Sequence, residues 1–114
     1  SDRTNMETKD LPHGIVGFKF AQALYEGDHH RAHVFLSLEL KLQYSVEGLQ
    51  KEFEEMMSIA DPAFSGVVVM DNCRHPEMDA QGWAYVAIST EAVVVTVKLL
   101  EKQYLITDLK WGRP

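Results

Sequence analysis

The chain has one cysteine, no apolar run of membrane length, and fewer basic than acidic side chains. A lone Cys73 excludes an internal disulfide, so the fold must rest on its core, and nothing favours an oxidising compartment. Apolar runs such as Ala92 to Val95 fall far short of the ~20 residues that a spanning helix needs. With 11 Lys and Arg against 17 Asp and Glu, the net charge of -6 repels the phosphate backbone that dominates nucleic-acid affinity. DNA, RNA and membrane are therefore not expected partners, and the cytoplasm is the default location. Also missing are a Gly-rich phosphate loop before a helix, a GxSxG elbow, an HExxH pair and paired cysteines. Several catalytic classes thereby lose their usual signature, and no cofactor is expected.

What is present suits one globular domain. Hydrophobic residues make up 46% of the 114 and charged residues 25%, enough for a single real core and too little chain for a second one. Ser1 to Asp10 is polar, mixed in charge and without a signal-type apolar segment, so it reads as a disordered tail ahead of a domain over 11–114.

Pro12 suits the first turn of a helix that runs to Glu26, with Val16, Phe20, Ala21 and Leu24 on one face. Gly27 stops that helix and Asp28 caps the next. The second helix is expected over His29 to Leu42. Ala32, Val34, Phe35, Leu36, Leu38 and Leu40 surround it with apolar groups, the pattern of a deeply buried helix. Ser45 caps a third, where Val46, Leu49, Phe53, Met56 and Met57 form a stripe opposite Lys51, Glu54 and Glu55.

After Gly66 the pattern changes to short β-rich runs, Val67 to Met70, Trp83 to Ser89, Val93 to Leu100 and Tyr104 to Trp111. These predict four antiparallel strands joined after the first by a long irregular loop, Asp71 to Gln81. Alternation puts Trp83, Tyr85 and Ala87 on one face and Ala84, Val86 and Ile88 on the other, so both faces carry apolar groups. Helices can cover only one of them, which predicts a homodimer through the open face.

The fold class is thus α+β, three N-terminal helices packed on a curved four-stranded antiparallel sheet. That order, the corner Ala23-Leu24-Tyr25-Glu26-Gly27-Asp28 followed by Ala32, and the closing run Tyr104 to Trp111 resemble the NTF2-like superfamily across Leu11 to Trp111. The resemblance implies a cone whose mouth can hold a small ligand and a sheet face that can pair. It implies no single activity, because this frame serves isomerases, dehydratases, adaptors and toxin-neutralising immunity proteins alike.

Candidate site residues follow from the cone. Tyr85 and Asp108 are strand residues placed to face its concavity and are the candidates for proton transfer, with Tyr25, Trp83 and Tyr104 beside them as ligand-binding groups. Against that stands a plain surface role for Asp108, paired with Lys98 or Lys110, and a packing role for Trp83 and Trp111. His29 and His33, one helical turn apart, are weak candidates for a metal and lack an evident third ligand, with Glu26 or His75 available only by tertiary coincidence. The run Cys73-Arg74-His75 does not by its sequence alone make an activated thiol. The expected function is a noncatalytic dimeric binding domain that recognises a protein or a small ligand, an immunity protein against a basic toxin being one version. A small pocket enzyme of the ketosteroid isomerase or dehydratase kind is the alternative.

Overall fold

The computed structural model describes residues 7–112. Among these, five α-helices and four strands follow a short 3-10 turn at Thr8–Asp10. Ordered structure thus reaches back into the stretch read as a tail, and Thr8 is completely buried. Residues 1–6 of that stretch lie outside the described residues.

Helix α1, Pro12–Tyr25, begins at its proline and is followed by Gly27 at φ 81°, a left-handed conformation that glycine adopts without a Cβ penalty. It buries Phe20, Ala21 and Leu24 as the periodicity requires, and two glycines besides. Gly17 lets the helix lie directly on the sheet, since a Cβ there would stand 3.1 Å from a methyl of both Val86 and Val95. Gly14 packs against the 3-10 turn, where a Cβ would overlap the Thr8 carbonyl.

The expected second helix is two short ones, α2 at His29–Val34 and α3 at Leu38–Gln43. Ser37 is the breaker. Its backbone is extended (φ -65°, ψ 162°) and its hydroxyl accepts the Leu40 N–H at 3.2 Å, a cap that starts a new helix. The junction also pairs with the sheet: Ile106 N–H donates to the Phe35 carbonyl and Ser37 N–H to the Ile106 carbonyl, each at 2.8 Å. Leu36 is thereby held in a parallel bridge to Ile106. The expectation of a deeply buried second helix is also corrected. Ala32, Leu36 and Leu40 are buried, but Val34, Leu38 and Leu42 are 63%, 80% and 88% exposed. The deepest helix is α1.

Helix α4, Val46–Met57, has the expected Ser45 cap, whose Oγ accepts the Gly48 N–H at 3.0 Å, and buries Leu49 and Met56. The connection after strand β1 (Val67–Val69) is not wholly irregular, because it carries helix α5, Pro76–Ala80. Strands β2 (Trp83–Ile88), β3 (Glu91–Leu100) and β4 (Gln103–Trp111) complete an antiparallel meander in the order β1-β2-β3-β4. The β3–β4 turn has Glu101 and Lys102 both at positive φ, the two-residue geometry that matches strand twist. A register shift at Thr96/Val97 leaves Thr107 as an extra residue on β4, a bulge that bends the ribbon locally.

Strict alternation along β2 assigns the faces. Ala84, Val86 and Ile88 are fully buried and join Val93, Val95 and Ile106 beneath the helices. Phe20, Leu24, Leu36 and Leu49 fill the layer between, each at most 1% exposed. Complete burial of side chains this size contributes about 1.5–3 kcal/mol apiece, so this layer is the main source of stability.

Candidate functional site

The opposite, outer face of the sheet is built in cross-strand rows. One row is Val68, Ala87 and Ala92; the next is Tyr85, Val94 and Lys110; the third is Trp83, Thr96 and Asp108. Val68 is 59% exposed and Met70, beside Tyr85 through its backbone N–H, is 45% exposed. Trp83, Tyr85 and Val94 are half-buried by their neighbours on the pleat. The Lys110 ammonium sits 5.6 Å from the Trp83 ring centroid, a cation–π contact that covers part of the indole.

Beyond the third row the face opens into a groove of about 1180 Å³ between the α2–α3 junction and the end of the β3–β4 hairpin. Trp83, Thr96 and Asp108 form its sheet wall, and Val34, Leu38 and Leu99 bring exposed apolar groups to it. Trp83 and Asp108 are therefore brought together, but on the outer face. Tyr85 shares that face one row away. Both Tyr85 and Asp108 point away from the helix-covered side, which corrects their expected place in a concavity. The physical reason is register: Asp108 pairs with Thr96 and Tyr85 with Val94, both on the outward parity of β3. Asp108 is exposed, and no ion pair to Lys98 or Lys110 forms among the described residues.

The other candidates are dispersed. Tyr25 ends α1 and is 39% exposed; Tyr104, opposite Leu99 near the hairpin tip, is 44% exposed. His29 and His33 diverge despite their spacing. The His29 ring lies edge-on to Phe53 of α4 at 6.4 Å, whereas His33 Nε2–H donates to the Tyr44 carbonyl at 2.8 Å. Among the described residues no three His, Cys, Asp or Glu side chains are grouped to hold a metal ion. Cys73 is exposed.

A second polar cluster has no counterpart in the sequence reading. Thr8 Oγ1–H donates to both Asp79 carboxylate oxygens, at 3.1 and 3.2 Å, and the same oxygen accepts the Asn72 N–H at 2.9 Å. His13 Nε2–H donates to Asp79 Oδ1 at 2.8 Å, and the Asn72 amide donates to the Trp83 carbonyl at 3.0 Å. Thr8, His13 and Asn72 are at most 8% exposed. Together they tie the 3-10 turn and the start of α1 to α5 and β2. A His–Asp pair is the arrangement that orients an imidazole for proton transfer, yet here the Asp79 carboxylate is shared with the Thr8 hydroxyl and the pair joins α1 to α5. Sequence separations of 64 to 71 residues hid this cluster.

Comparison of the chain with family models, curated proteins and solved structures finds no match.

Proposed function

We propose that this chain is a noncatalytic NTF2-like interaction domain that forms a homodimer and recognises a protein or small ligand from its open sheet side. The observation that carries this reading is the apolar outer face. Val68, Met70, Trp83, Tyr85 and Val94 occupy one surface that no helix among the described residues covers, while the helix side is packed with Phe20, Leu24, Leu36 and Leu49. Soluble domains seldom leave such a surface without a partner. The net charge of -6 and the exposed Glu47, Glu54 and Glu55 of α4 favour encounter with a basic protein, the situation of an immunity protein facing a basic toxin.

The isomerase or dehydratase reading has less support. A carboxyl acting as base or donor there needs a desolvated pocket, and Asp108 is solvent-exposed. Sedimentation equilibrium from about 1 to 100 μM tests the binding reading, since a standard interface supports micromolar or tighter association. A dimer that dissociates on dilution is the expected result. A strict monomer at the highest concentration, with no change on mixing with the product of the adjacent gene, would refute it.

A further inference from the structure

Residues 71–81, which join β1 to β2 and carry α5, are fastened to the molecule by polar contacts, whereas α1 and α4 are held by buried apolar side chains. Asn72 is the buried residue of this segment. Helix α5 buries none, Met78 and Asp79 are half-buried, and the remaining positions are exposed. Both ends are pinned to the sheet. Met70 N–H donates to the Tyr85 carbonyl and the Gly82 carbonyl accepts the Val97 N–H, each at 2.9 Å.

Between those points the ties to the body of the protein run through three side chains. Asp79 accepts from the Thr8 hydroxyl and from His13, while Asn72 bonds the Thr8 oxygen through its N–H and the Trp83 carbonyl through its amide. Asp71 Oδ1 stands 3.4 Å from the same Thr8 oxygen. The other hydrogen bonds are internal: His75 N–H to the Asn72 carbonyl, Met78 N–H to His75 and Gln81 N–H to Glu77, at 2.7 to 3.1 Å. Lifting this segment therefore breaks one polar cluster and leaves the Phe20, Leu24, Val86 and Val95 layer covered. Segments with few buried apolar contacts open at lower free energy than the core they border.

We propose that residues 71–81 form a strap that opens as a unit while the helices and sheet stay folded, with Asp79 as its latch. The internal bonds of α5 make it move in one piece, and the pinned Met70 and Gly82 set its limits. Opening uncovers the Thr8 hydroxyl and the His13 imidazole, both buried when the strap is closed, and releases the Asn72 tie to Trp83. The strap borders the outer sheet face at Met70 and Trp83 but does not depend on what binds there.

The test is hydrogen exchange of the whole chain, followed amide by amide by NMR, in urea below the unfolding midpoint. The wild-type amides of Met78 and Gln81 should exchange faster than those of Val86 and Val95 and show no urea dependence, the mark of an opening that exposes little surface. Two variants separate strap from core. Asp79→Ala removes the latch and should accelerate Met78 and Gln81 by at least about tenfold. Ile106→Val trims the core two strands away from β2 and should accelerate Val86 and Val95 by about three- to tenfold. Met78 and Gln81 should stay within about twofold of the wild type in that variant, because the strap opens without disturbing the site. Strap amides that share the urea dependence of the sheet and accelerate with Ile106→Val would show that they open only by global unfolding, which overturns the proposal. Strap amides indifferent to Asp79→Ala would overturn the latch. Should Asp79→Ala not fold, the wild-type urea series and Ile106→Val still decide whether the strap opens alone.

Discussion

Replacement of Thr8 by valine tests whether the buried polar cluster holds the 3-10 turn ahead of α1 in place. Valine keeps the shape of the side chain and removes only the hydroxyl, which serves the Asp79 carboxylate as donor and the Asn72 N–H as acceptor. Two losses follow. The buried Asn72 N–H is left without an acceptor, a penalty of about 1–3 kcal/mol, and a hydrogen bond to a charged group, worth about 1.5–3 kcal/mol, disappears. Asp79 still has His13 at 2.8 Å, so its carboxylate is not orphaned and the two losses do not add in full. A decrease of about 2–3 kcal/mol in unfolding free energy is expected. Urea denaturation at pH 7 reads it as a lower midpoint at unchanged slope, because the surface exposed on unfolding is the same. Thr8→Ser, which restores the hydroxyl, should recover most of the loss. A change below about 0.5 kcal/mol for the valine variant would mean that the segment before α1 is not held by this cluster.

Other substitutions probe the remaining elements. Gly17→Val forces a branched side chain against Val86 and Val95 and should lower stability by about 1–3 kcal/mol by overpacking, visible as a reduced Tm; an unchanged Tm would mean α1 does not lie so close to the sheet. Ser37→Ala removes the cap that starts α3 and should cost about 1 kcal/mol in urea titration, with backbone amides of Leu38 to Leu40 exchanging hydrogen faster than in the parent. The Glu26 carboxyl is held below its ordinary value first by the Gln22 hydrogen bond and then by Arg31. A lowered folded-state value stabilises above the unfolded carboxylate range and is lost as pH falls through the folded value. Any Tm advantage of the wild type over Glu26→Gln should therefore be present at pH 7, be small because the pair is exposed and screened, and vanish in strong acid.

Much of the fold was legible because its signals are local. Pro12, Gly27, Asp28 and Ser45 mark helix ends by their own backbone chemistry, and each acts where the pattern puts it. The four strands follow from β-branched alternation, whose period of two also separates Ala84, Val86 and Ile88 from Trp83 and Tyr85. The second helix misled for an equally physical reason. Apolar residues all round a helix suggest burial, but the same composition arises when one face docks to the core and the other is left for a partner. Ser37 was the visible clue, a good N-cap in the middle of the run, and only the bridge to Ile106 gives that cap its effect.

The candidate site was partly legible. Trp83 and Asp108 do line one groove, yet which side of the sheet they occupy depends on what packs beneath β2 and on the bulge at Thr107, neither of which alternation specifies. The Thr8, His13, Asn72 and Asp79 cluster was not legible at all, because it joins residues more than sixty positions apart through tertiary contact.

By itself the sequence determined the α+β class, the strand positions, most helix ends and the existence of an apolar surface beyond what one set of helices can cover. Those properties are written in short-range periodicity and capping. The tertiary structure decided that Leu38 and Leu42 face solvent, that Tyr85 and Asp108 turn away from the helices, and that the half-buried Asp79 carboxylate ties Thr8 and His13 to α5. Such outcomes depend on register and docking, and a one-residue shift in either exchanges the buried and exposed faces.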